Sequence, residues 1–253
     1  MFRPRVIPVL LLKELGLVKS IKFGNYRYIG DPINAVKIFN DLKADELIFL
    51  DILASKENRS ISLDFVERVG SEANMPFGVG GGISSIDQIQ KILSAGAEKV
   101  ILNTSAGLNP AFVKEAADTF GSSTIAISID VNKKRLRKEQ VYIKGGKKGI
   151  GEDPVTFAKK MEHLGAGELM ITSITQDGTM EGYDLELIKK VSENVTIPVI
   201  ACGGAGSYDD FKKATNEVHA SAVAAGSLFV YHGPRRAVLI NYPSRQELIQ
   251  IFT

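Results

Sequence analysis

The stretch DELIFLDI (45–52) recurs in altered form as GELMITSI (167–174), at an offset of 122 residues. The same offset places PFGVGGGIS (76–84) on PVIACGGAG (198–206). In each pair a buried apolar run ends at small or polar residues, which is the pattern of a strand followed by a functional turn. The chain is therefore internally repeated, with a period of about half its length.

A third pair of segments supports the same period. VILNTSA (100–106) aligns with AVAAGSL (222–228) at the offset of 122 residues. Three blocks at one offset are hard to obtain by chance, so we infer two half-barrels, about 1–122 and 123–253, within one domain.

Eight short apolar runs alternate with amphipathic helical stretches along the chain. Such near-continuous hydrophobic runs are typical of a parallel sheet that is buried on both faces. The sequence thus predicts a single (βα)₈ TIM barrel over residues 1–253. The strand candidates are 6–11, 46–52, 76–81, 99–103, 124–130, 168–174, 198–204 and 221–227. The helix candidates include 31–44, 62–73, 85–96, 153–165 and 207–218.

Composition excludes several classes of protein. The chain is 44% hydrophobic and 24% charged, and no run approaches the roughly 18 apolar residues of a membrane span. The amino terminus carries Arg3 and Arg5, but the following apolar stretch contains a proline and lacks a cleavage site for a signal peptide. A net charge of +2 gives no field that favours nucleic acid. We expect a cytoplasmic protein that binds neither membrane nor nucleic acid.

The cysteine and histidine content argues against disulfides and metals. Cys202 is the only cysteine, and His163, His219 and His232 lack the spacing of metal ligands. No histidine stands near Cys202 in sequence, so a packing role suits it better than a nucleophilic one. We expect no metal and no cofactor.

Two segments do not fit short loops of a barrel. Residues 132–150 contain an alternating stretch and a Gly-Gly pair, which predict a small hairpin that is either a solvated excursion or a docking or lid element. Residues 13–27 are locally basic and form either a solvated loop or one that meets an anionic ligand. The charged residues of this second segment are Lys13, Lys19, Lys22 and Arg27 against Glu14.

The carboxyl ends of the strands are where a barrel of this kind places its active site, with phosphate bound after strands 7 and 8. Glycines and small polar residues follow strands 7 and 8. The internal repeat relates these strands to strands 3 and 4, which are followed by residues of the same kinds. Two phosphate sites on opposite sides of the mouth would fit an elongated ligand with a phosphate at each end. The alternative is that these glycines only make tight turns. The candidates are Gly81, Gly82, Asn103, Thr104, Gly203, Gly204, Gly226 and Ser227.

Three carboxylates stand at strand ends. Asp51 ends strand 2, Asp130 ends strand 5, and Asp177 precedes Gly178 in the loop TQDGT after strand 6. Of these, Asp130 is the best candidate for a catalytic acid or base. The first strands of the two halves align at an offset of 119 residues, which puts Leu11 opposite Asp130. Acid–base catalysis on both sides of a substrate ring needs two proton-transferring groups, one on each side. The alkyl side chain of Leu11 transfers no proton.

The amino ends of four strands carry charges of both signs. Arg5, Glu46, Lys99 and Glu168 begin strands 1, 2, 4 and 6. They can converge into a ring of ion pairs that closes the barrel floor, or they can serve stability alone.

The chain from about residue 3 to 230 resembles the cyclase subunit of imidazole glycerol phosphate synthase. The resemblance implies a barrel that receives ammonia from a class I glutaminase docked at its floor. It also implies that Arg5, Glu46, Lys99 and Glu168 form the gate through which the ammonia passes. The shared motifs are GDP (30–32), ADELIFLDI (44–52), PFGVGGGI (76–83), GAEKVILNTSA (96–106), SID (128–130), GAGELMITSITQDGTMEGYD (165–184) and ACGGAG (201–206).

The chain departs from the cyclase pattern at three places. Cyclases carry Cys-Leu-Asp where this chain has Val9-Leu10-Leu11, and the lost aspartate is the acid–base partner of the one that matches Asp130. Gly78 and Ile101 stand where Thr and Ser are expected along the ammonia path. By contrast Lys19 matches a cyclase loop lysine, which makes it a candidate ligand contact.

The sequence resembles more closely the acetamidino modification branch of this family, including PRVIPVLLLK (4–13) and LVKSIKFGNYRYIGDP (17–32). The resemblance implies a role in surface-polysaccharide biosynthesis such as that of O-antigen lipopolysaccharide. A glutaminase would release ammonia, the barrel would conduct it, and a separate sugar amidotransferase would use it to convert an N-acetyl group into an acetamidino group. Two alternatives stay open. The first is an active cyclase, that is, a lyase in which Asp130 works alone or Glu14 takes the place of the missing carboxylate. The second is a non-enzymatic activator of the glutaminase.

Overall fold

The apolar runs predicted from the sequence form the strands of a closed barrel. A computed structural model of the chain describes residues 3–133 and 139–253. Every barrel strand pairs in parallel with the next along the chain, and the last pairs with the first. The predicted (βα)₈ fold is thereby confirmed. The strands are β1 (Arg5–Lys13), β2 (Leu47–Asp51), β3 (Phe77–Gly80), β4 (Lys99–Leu102), β5 (Ile125–Asn132), β6 (Glu168–Ser173), β7 (Val199–Cys202) and β8 (Ala222–Ala225).

Helices cover the outside of the barrel, and their first residues repeat between the two halves. N-cap residues occur in pairs that are 122 positions apart: Asp31 with Asp153, Ser62 with Asp184, and Ser85 with Ser207. Such side chains stabilise a helix start because their oxygens accept hydrogen bonds from free backbone N–H groups. The helices are α1 (Pro32–Asp41), α2 (Leu63–Glu72), α3 (Ile86–Ser94), α4 (Thr104–Leu108), α5 (Ala111–Phe120), α6 (Pro154–His163), α7 (Leu185–Ser192), α8 (Tyr208–Asn216), α9 (Ser227–Val230) and α10 (Arg245–Phe252), with a 3₁₀ turn at Ser122–Thr124.

Alternation along β1 shows how the core is divided. Ile7 and Val9 belong to an apolar cluster inside the barrel, against which Leu11 packs. Leu10 and Leu12 belong to a second cluster, between the strands and the helices. Because both faces of the strand are buried, the sequence shows a continuous apolar run instead of an alternating one.

Two hairpins lie over the mouth of the barrel. Gly16–Ile21 pairs with the end of β1 and with Gly24–Gly30, so much of the predicted basic loop at 13–27 is β-structure. After β5, strand Gln140–Ile143 pairs with the end of β5 and with Lys148–Gly149. Residues 134–138 of the predicted 132–150 hairpin lie outside the described residues.

The carboxyl-terminal segment is hydrogen-bonded to the start of β1. It contains the paired strands Tyr231–His232 and Ala237–Val238 and then α10. The hydroxyl of Tyr242 donates to the carbonyl of Val6 at 2.8 Å and accepts from the amide of Asp45 at 3.1 Å. The buried hydroxyl therefore has both a donor and an acceptor partner, as buried polar groups require.

Candidate functional site

Four charged side chains form a closed ring at the barrel floor. Arg5 donates from one guanidinium nitrogen to Glu46 and from the other to Glu168. Lys99 completes the ring, since its ammonium lies 3.2 Å from Glu46 and 2.9 Å from Glu168. Charges alternate around the ring, so each carboxylate lies between two cations.

Burial within the ring is uneven. The side chains of Glu46 and Glu168 are 4% and 7% exposed, whereas those of Arg5 and Lys99 are 33% and 21% exposed. Buried carboxylates are tolerated because each accepts from both cations, and removal of one member would leave an uncompensated charge. The ring brings two positive and two negative charges together at the floor and so carries no net charge.

Asp130 lies in the barrel mouth, on the inward side of β5. It accepts a hydrogen bond from the hydroxyl of Ser128 at 3.0 Å and one from the amide of Asn103 at 3.3 Å. Burial raises the pKa of Asp130 from 3.8 to about 7, against the opposing effect of the Ser128 hydroxyl and with a smaller contribution from Asp177. A carboxyl with a pKa near neutrality can give or take a proton at physiological pH.

Leu11 lies on the inward side of β1 and lines the mouth cavity together with Lys19 and Asp177. In the barrel register it is opposite Leu50, and it pairs with Val18 of the first hairpin. The wall of the mouth is therefore apolar at position 11, and this side chain supplies no proton to match that of Asp130.

Lys19 reaches from the first hairpin into the mouth. Its ammonium donates to the carbonyl of Val9 at 2.6 Å and occupies the space into which a side chain at Gly226 would project. Burial lowers the pKa of Lys19 from 10.5 to about 8, although Asp177 acts in the opposite direction. A buried cation thus lies at the end of β8, one of the two predicted phosphate positions.

The cavity around this ammonium is small, about 40 Å³. It is enough for a molecule the size of water but not for a sugar phosphate. Of the predicted ligand-binding residues, those of the first hairpin, of the loop after β6 and of the ends of β7 and β8 contribute to it, and those after β3 and β4 do not. Its lining is Val9, Leu11, Lys19, Ser20, Asp177, Gly178, Cys202, Gly203, Gly204, Ala205, Gly226 and Ser227.

The loop after β6 is hydrogen-bonded to the first hairpin. Asp177 accepts from the hydroxyl of Ser20 at 2.8 Å, and its backbone carbonyl accepts from the amide of Lys22 at 2.8 Å. Gly178 packs against the backbone of Ser20, where a Cβ would lie 2.0 Å from the carbonyl oxygen. Burial raises the pKa of Asp177, and hydrogen bonding from Ser20 and the charge of Lys19 oppose this rise.

Asp51, at the end of β2, has partners of its own in the following loop. Its carboxylate contacts the guanidinium of Arg59 at 2.5 Å and accepts from the backbone amides of Leu53 and Ala54 at 3.0 and 3.1 Å. Asp51 therefore organises the loop after β2.

The glycines after β3 and β7 have packing reasons of their own. A Cβ at Gly82 would lie 1.9 Å from the carbonyl oxygen of Arg59, and one at Gly204 would lie 2.1 Å from that of Gly182. Both glycines also have positive φ. Gly81 is close to Asp51, and Gly203 is close to Thr172. These contacts support the tight-turn interpretation.

The second hairpin covers the end of β4. Asn103 donates to the carbonyl of Tyr142 at 3.2 Å, and the hydroxyl of Thr104 accepts from the amide of Lys144 at 3.1 Å. The two hairpins also touch, because Phe23 contacts Gly146. The hairpin after β1 thus covers the end of β8 and the hairpin after β5 covers the end of β4, in keeping with twofold pseudosymmetry.

Cys202 lies in the same mouth but is buried, and burial raises its thiol pKa to about 12. A thiol with that pKa is not a nucleophile at neutral pH. In the part of the chain that the structure describes, no three His, Cys, Asp or Glu side chains are arranged to hold a metal ion. Over the same residues, no helix combines the length and the hydropathy needed to cross a bilayer.

Sequence reasoning missed several residues of the site. Ser128 and Ser20 bind the carboxylates of Asp130 and Asp177, and Arg59 binds that of Asp51. Ser128 is two residues before Asp130 on the same strand, so alternation alone could have placed both on the inward face. Ser20 and Arg59 lie on excursions whose contacts are with distant loops, and no local pattern indicates them.

Comparison with known proteins identifies the family of the chain. The family described as histidine biosynthesis protein matches residues 5–234, which is most of the chain. The chain belongs to this histidine biosynthesis family. Within the family it is HisF-like. It is 47% identical over 253 residues, the full length of both chains, to a putative imidazole glycerol phosphate synthase subunit HisF of Leptospira borgpetersenii.

Two other relatives extend the comparison. The putative imidazole glycerol phosphate synthase subunit hisF2 of Pseudomonas aeruginosa is 45% identical over 248 residues, which cover 98% of this chain and 99% of the relative. The imidazole glycerol phosphate synthase subunit HisF of Alkaliphilus metalliredigens is 42% identical over 232 residues, 92% of each chain. The HisF-like resemblance therefore holds over nearly the whole barrel.

Proposed function

We propose that this barrel conducts ammonia from a class I glutaminase docked at its floor to a sugar amidotransferase at its mouth. The recipient enzyme converts an N-acetyl group of a nucleotide-linked sugar into an acetamidino group, in the biosynthesis of a surface polysaccharide such as O-antigen. One observation carries the proposal: the four-residue ring at the floor is complete, while an alkyl side chain, Leu11, lines the mouth on β1, four strands around the barrel from Asp130 on β5.

The floor supports a role in passage. Arg5, Glu46, Lys99 and Glu168 come from four different strands and meet in one neutral ring, which is the arrangement expected of a gate between a docked glutaminase and the barrel interior. The relatives are named as subunits of a synthase, which favours a partner chain for this protein as well.

The mouth supports a role without cyclisation. A positioned acid or base is typically worth about 10²–10⁴ in rate, and Leu11 removes one of the two that a cyclase uses. A protein that only hands ammonia on does not need the pair. The retained Asp130 then has no partner across the mouth.

A phosphorylated small molecule is a candidate ligand of the same mouth. Lys19 supplies a buried cation beside Gly226 and Ser227, where backbone amides at the start of α9 are available. Because the cavity holds only about 40 Å³, entry of such a ligand requires the first hairpin to move.

Reconstitution with the glutaminase and the sugar amidotransferase tests the proposal. With amide-¹⁵N glutamine as the nitrogen source, Glu46→Gln should preserve glutamine hydrolysis but lower the share of ¹⁵N in the amidated sugar. Glu72→Gln is the matched control, because Glu72 forms only a half-exposed pair with Lys37 on the outer helices. If Glu46→Gln yields product and glutamate in the wild-type ratio, ammonia does not pass through the gate.

The second candidate is an active cyclase of histidine biosynthesis, as the names of the relatives suggest. The pKa of about 7 for Asp130 favours it, since one acid–base group of the right strength is in place. Growth of a cyclase-deficient, histidine-requiring strain decides between the two. Growth that depends on this chain and is lost in Asp130→Asn would establish the cyclase and end the proposal above. An activator that only switches on the glutaminase would give hydrolysis with no ¹⁵N transfer in the reconstituted system.

A further inference from the structure

The two hairpins over the mouth carry positive charges that no carboxylate neutralises. Residues 16–30 and 140–151 contain six Lys or Arg residues and no Asp or Glu. Lys19 is buried, and the other five are exposed. Within the described residues, no side-chain nitrogen of the five lies within 4.0 Å of a carboxylate oxygen. The five are Lys22, Arg27, Lys144, Lys147 and Lys148.

The outer helices distribute their charges differently. Lys91 pairs with Asp87 on α3, and Lys114 pairs with Asp118 on α5. Helices α7 and α8 contain further pairs of this kind, four residues apart. The excess of positive charge at the mouth is therefore an uneven distribution that the net charge of +2 conceals. A surface of one sign attracts and orients a partner of the opposite sign.

The outer strand of the first hairpin, Gly24–Gly30, is exposed on both faces. Tyr26 and Tyr28 are 43% and 66% exposed, and the residue between them is exposed as well. Among the described residues this strand pairs only with Gly16–Ile21, which leaves its other edge free. A free edge that carries two exposed tyrosines is typical of an interaction surface, because tyrosine is enriched at the centre of protein interfaces.

Contacts between the hairpins make this surface continuous. The hydroxyl of Tyr26 donates to the carbonyl of Phe23 at 2.9 Å, and Phe23 in turn contacts Gly146 of the second hairpin. Gly146 lies between Lys144 and Lys147 in the sequence. The tyrosines and these lysines therefore belong to one surface across the mouth.

The aromatic part of the surface is held in place before any partner arrives. The ammonium of Lys13 lies 5.7 Å from the centre of the Tyr26 ring. The ring of Tyr28 lies over Gly16, where a Cβ would be 2.5 Å from its Cε2 atom. Side chains that are already ordered lose less entropy on binding, which favours affinity.

We propose that the mouth surface formed by Lys22, Tyr26, Tyr28, Lys144 and Lys147 is the docking site of the sugar amidotransferase, which meets it with an acidic face. The inference rests on the proposed function, which places the recipient enzyme at the opposite end of the barrel from the glutaminase. The tyrosines form the centre of the interface and slow dissociation. The lysines pair with carboxylates of the partner at the rim and speed association.

Binding of the amidotransferase to the immobilised barrel–glutaminase complex tests the charge of the surface. Lys144→Glu combined with Lys147→Glu should lower the association rate at least about tenfold at low salt, because rim charges act mainly on association. Added salt should slow the association of the wild type and affect the variant much less. Lys91→Glu combined with Lys114→Glu is the matched control, since it changes the net charge equally on the outer helices and should keep the wild-type rate within about twofold.

Tyr28→Ala tests the aromatic centre in the same assay. It should speed dissociation at least about tenfold, whereas Tyr28→Phe, which keeps the ring, should stay close to the wild type. Ile38→Ala is the control, because Ile38 is 40% exposed on the outer helix α1 and lies outside the mouth surface. Wild-type association by the lysine variant together with wild-type dissociation by Tyr28→Ala would overturn the inference.

Nitrogen transfer separates the docking site from the proposed function. An amidotransferase that binds the wild-type complex through these residues but incorporates no glutamine ¹⁵N would support the docking site and refute conduction of ammonia. Equal incorporation of ¹⁵N with wild type and with both surface variants would support conduction and overturn the docking site. If the nucleotide-linked sugar alone binds the barrel and the lysine variant weakens only that binding, the lysines hold the phosphates of the substrate, and the inference is overturned.

Discussion

Replacement of Asp130 by Asn should stabilise the protein at pH 8 and remove part of its pH dependence. The folded state raises the pKa of Asp130 from 3.8 to about 7, chiefly through burial. Between these two values the folded protein holds a proton that the unfolded chain has released, so the free energy of unfolding falls as pH rises through this window. At pH 8 the total cost of the carboxylate is on the order of 4 kcal/mol, and about 2–3 kcal/mol of it develops between pH 5 and pH 8.

The amide introduced by Asp130→Asn keeps the shape of the side chain, and its oxygen can still accept from the hydroxyl of Ser128 and the amide of Asn103. The variant should therefore lose little by way of hydrogen bonds while it avoids the cost of a buried charge. In melting scans the difference in Tm between variant and wild type should widen by about 5–10 °C from pH 5 to pH 8. Asp177 also has a raised pKa, but it is present in both proteins and its effect largely cancels in the comparison.

Asp118→Asn is the control, because Asp118 forms an exposed pair with Lys114 on the outer face of α5 and should change stability by no more than about 0.5 kcal/mol. Equal pH dependence for wild type and Asp130→Asn would refute the reasoning. The carboxylate would then be hydrated, and the two hairpins would not seal the mouth.

Three further substitutions follow from the structure, each measured by chemical denaturation. Leu11→Asp should cost about 1 kcal/mol, because it places a carboxylate against the interior apolar cluster while Lys19, which lines the same cavity, offsets part of that cost. Leu15→Asp, at a position that is 89% exposed, should change stability by less than about 0.5 kcal/mol. Gly204→Ala should cost about 3 kcal/mol or more, since φ is +118° and the Cβ would lie 2.1 Å from a carbonyl oxygen. Its control is Gly121→Ala, which should cost only about 1 kcal/mol, because φ is +85° but the space around the residue is open. Tyr242→Phe should cost about 1–3 kcal/mol, because it leaves a buried carbonyl and a buried amide without their shared partner.

The barrel could be predicted from the sequence because its signals are local and occur twice. Each strand is a continuous apolar run, and the turns that follow the strands recur at one offset. The helix starts are as clear: Asp31-Pro32 and Asp153-Pro154 each place a capping carboxylate before a proline at the first helical position. The floor ring could also be predicted, since its members begin strands whose order the barrel fixes.

The contacts of the mouth could not be predicted in the same way. The first hairpin, Gly16–Ile21 with Gly24–Gly30, lies in a locally basic segment with three glycines, and its sequence predicts a loop. Its register is set by antiparallel pairing with the extended end of β1. The ion pair between Asp51 and Arg59 depends on the path of the loop that connects these two residues. The hydrogen bond from Tyr242 to Val6 joins residues 236 positions apart, for which no local pattern exists. Long-range contacts between irregular segments are the part of a fold that is hardest to predict from a single sequence, because no local pattern indicates them.

The leucine at position 11 affects charge in the mouth as well as chemistry. Leu11, Lys19 and Asp177 line the same small cavity, and the ammonium of Lys19 is bound to a carbonyl, not to a carboxylate. A carboxylate at position 11 would supply Lys19 with a counter-charge and would hold its pKa up; with leucine there, burial is opposed mainly by Asp177, and the pKa of Lys19 falls to about 8. The cation in the mouth is therefore only partly neutralised. Under the proposed function, leucine at position 11 thus leaves a mouth that is poorer in proton transfer but more receptive to an anionic group.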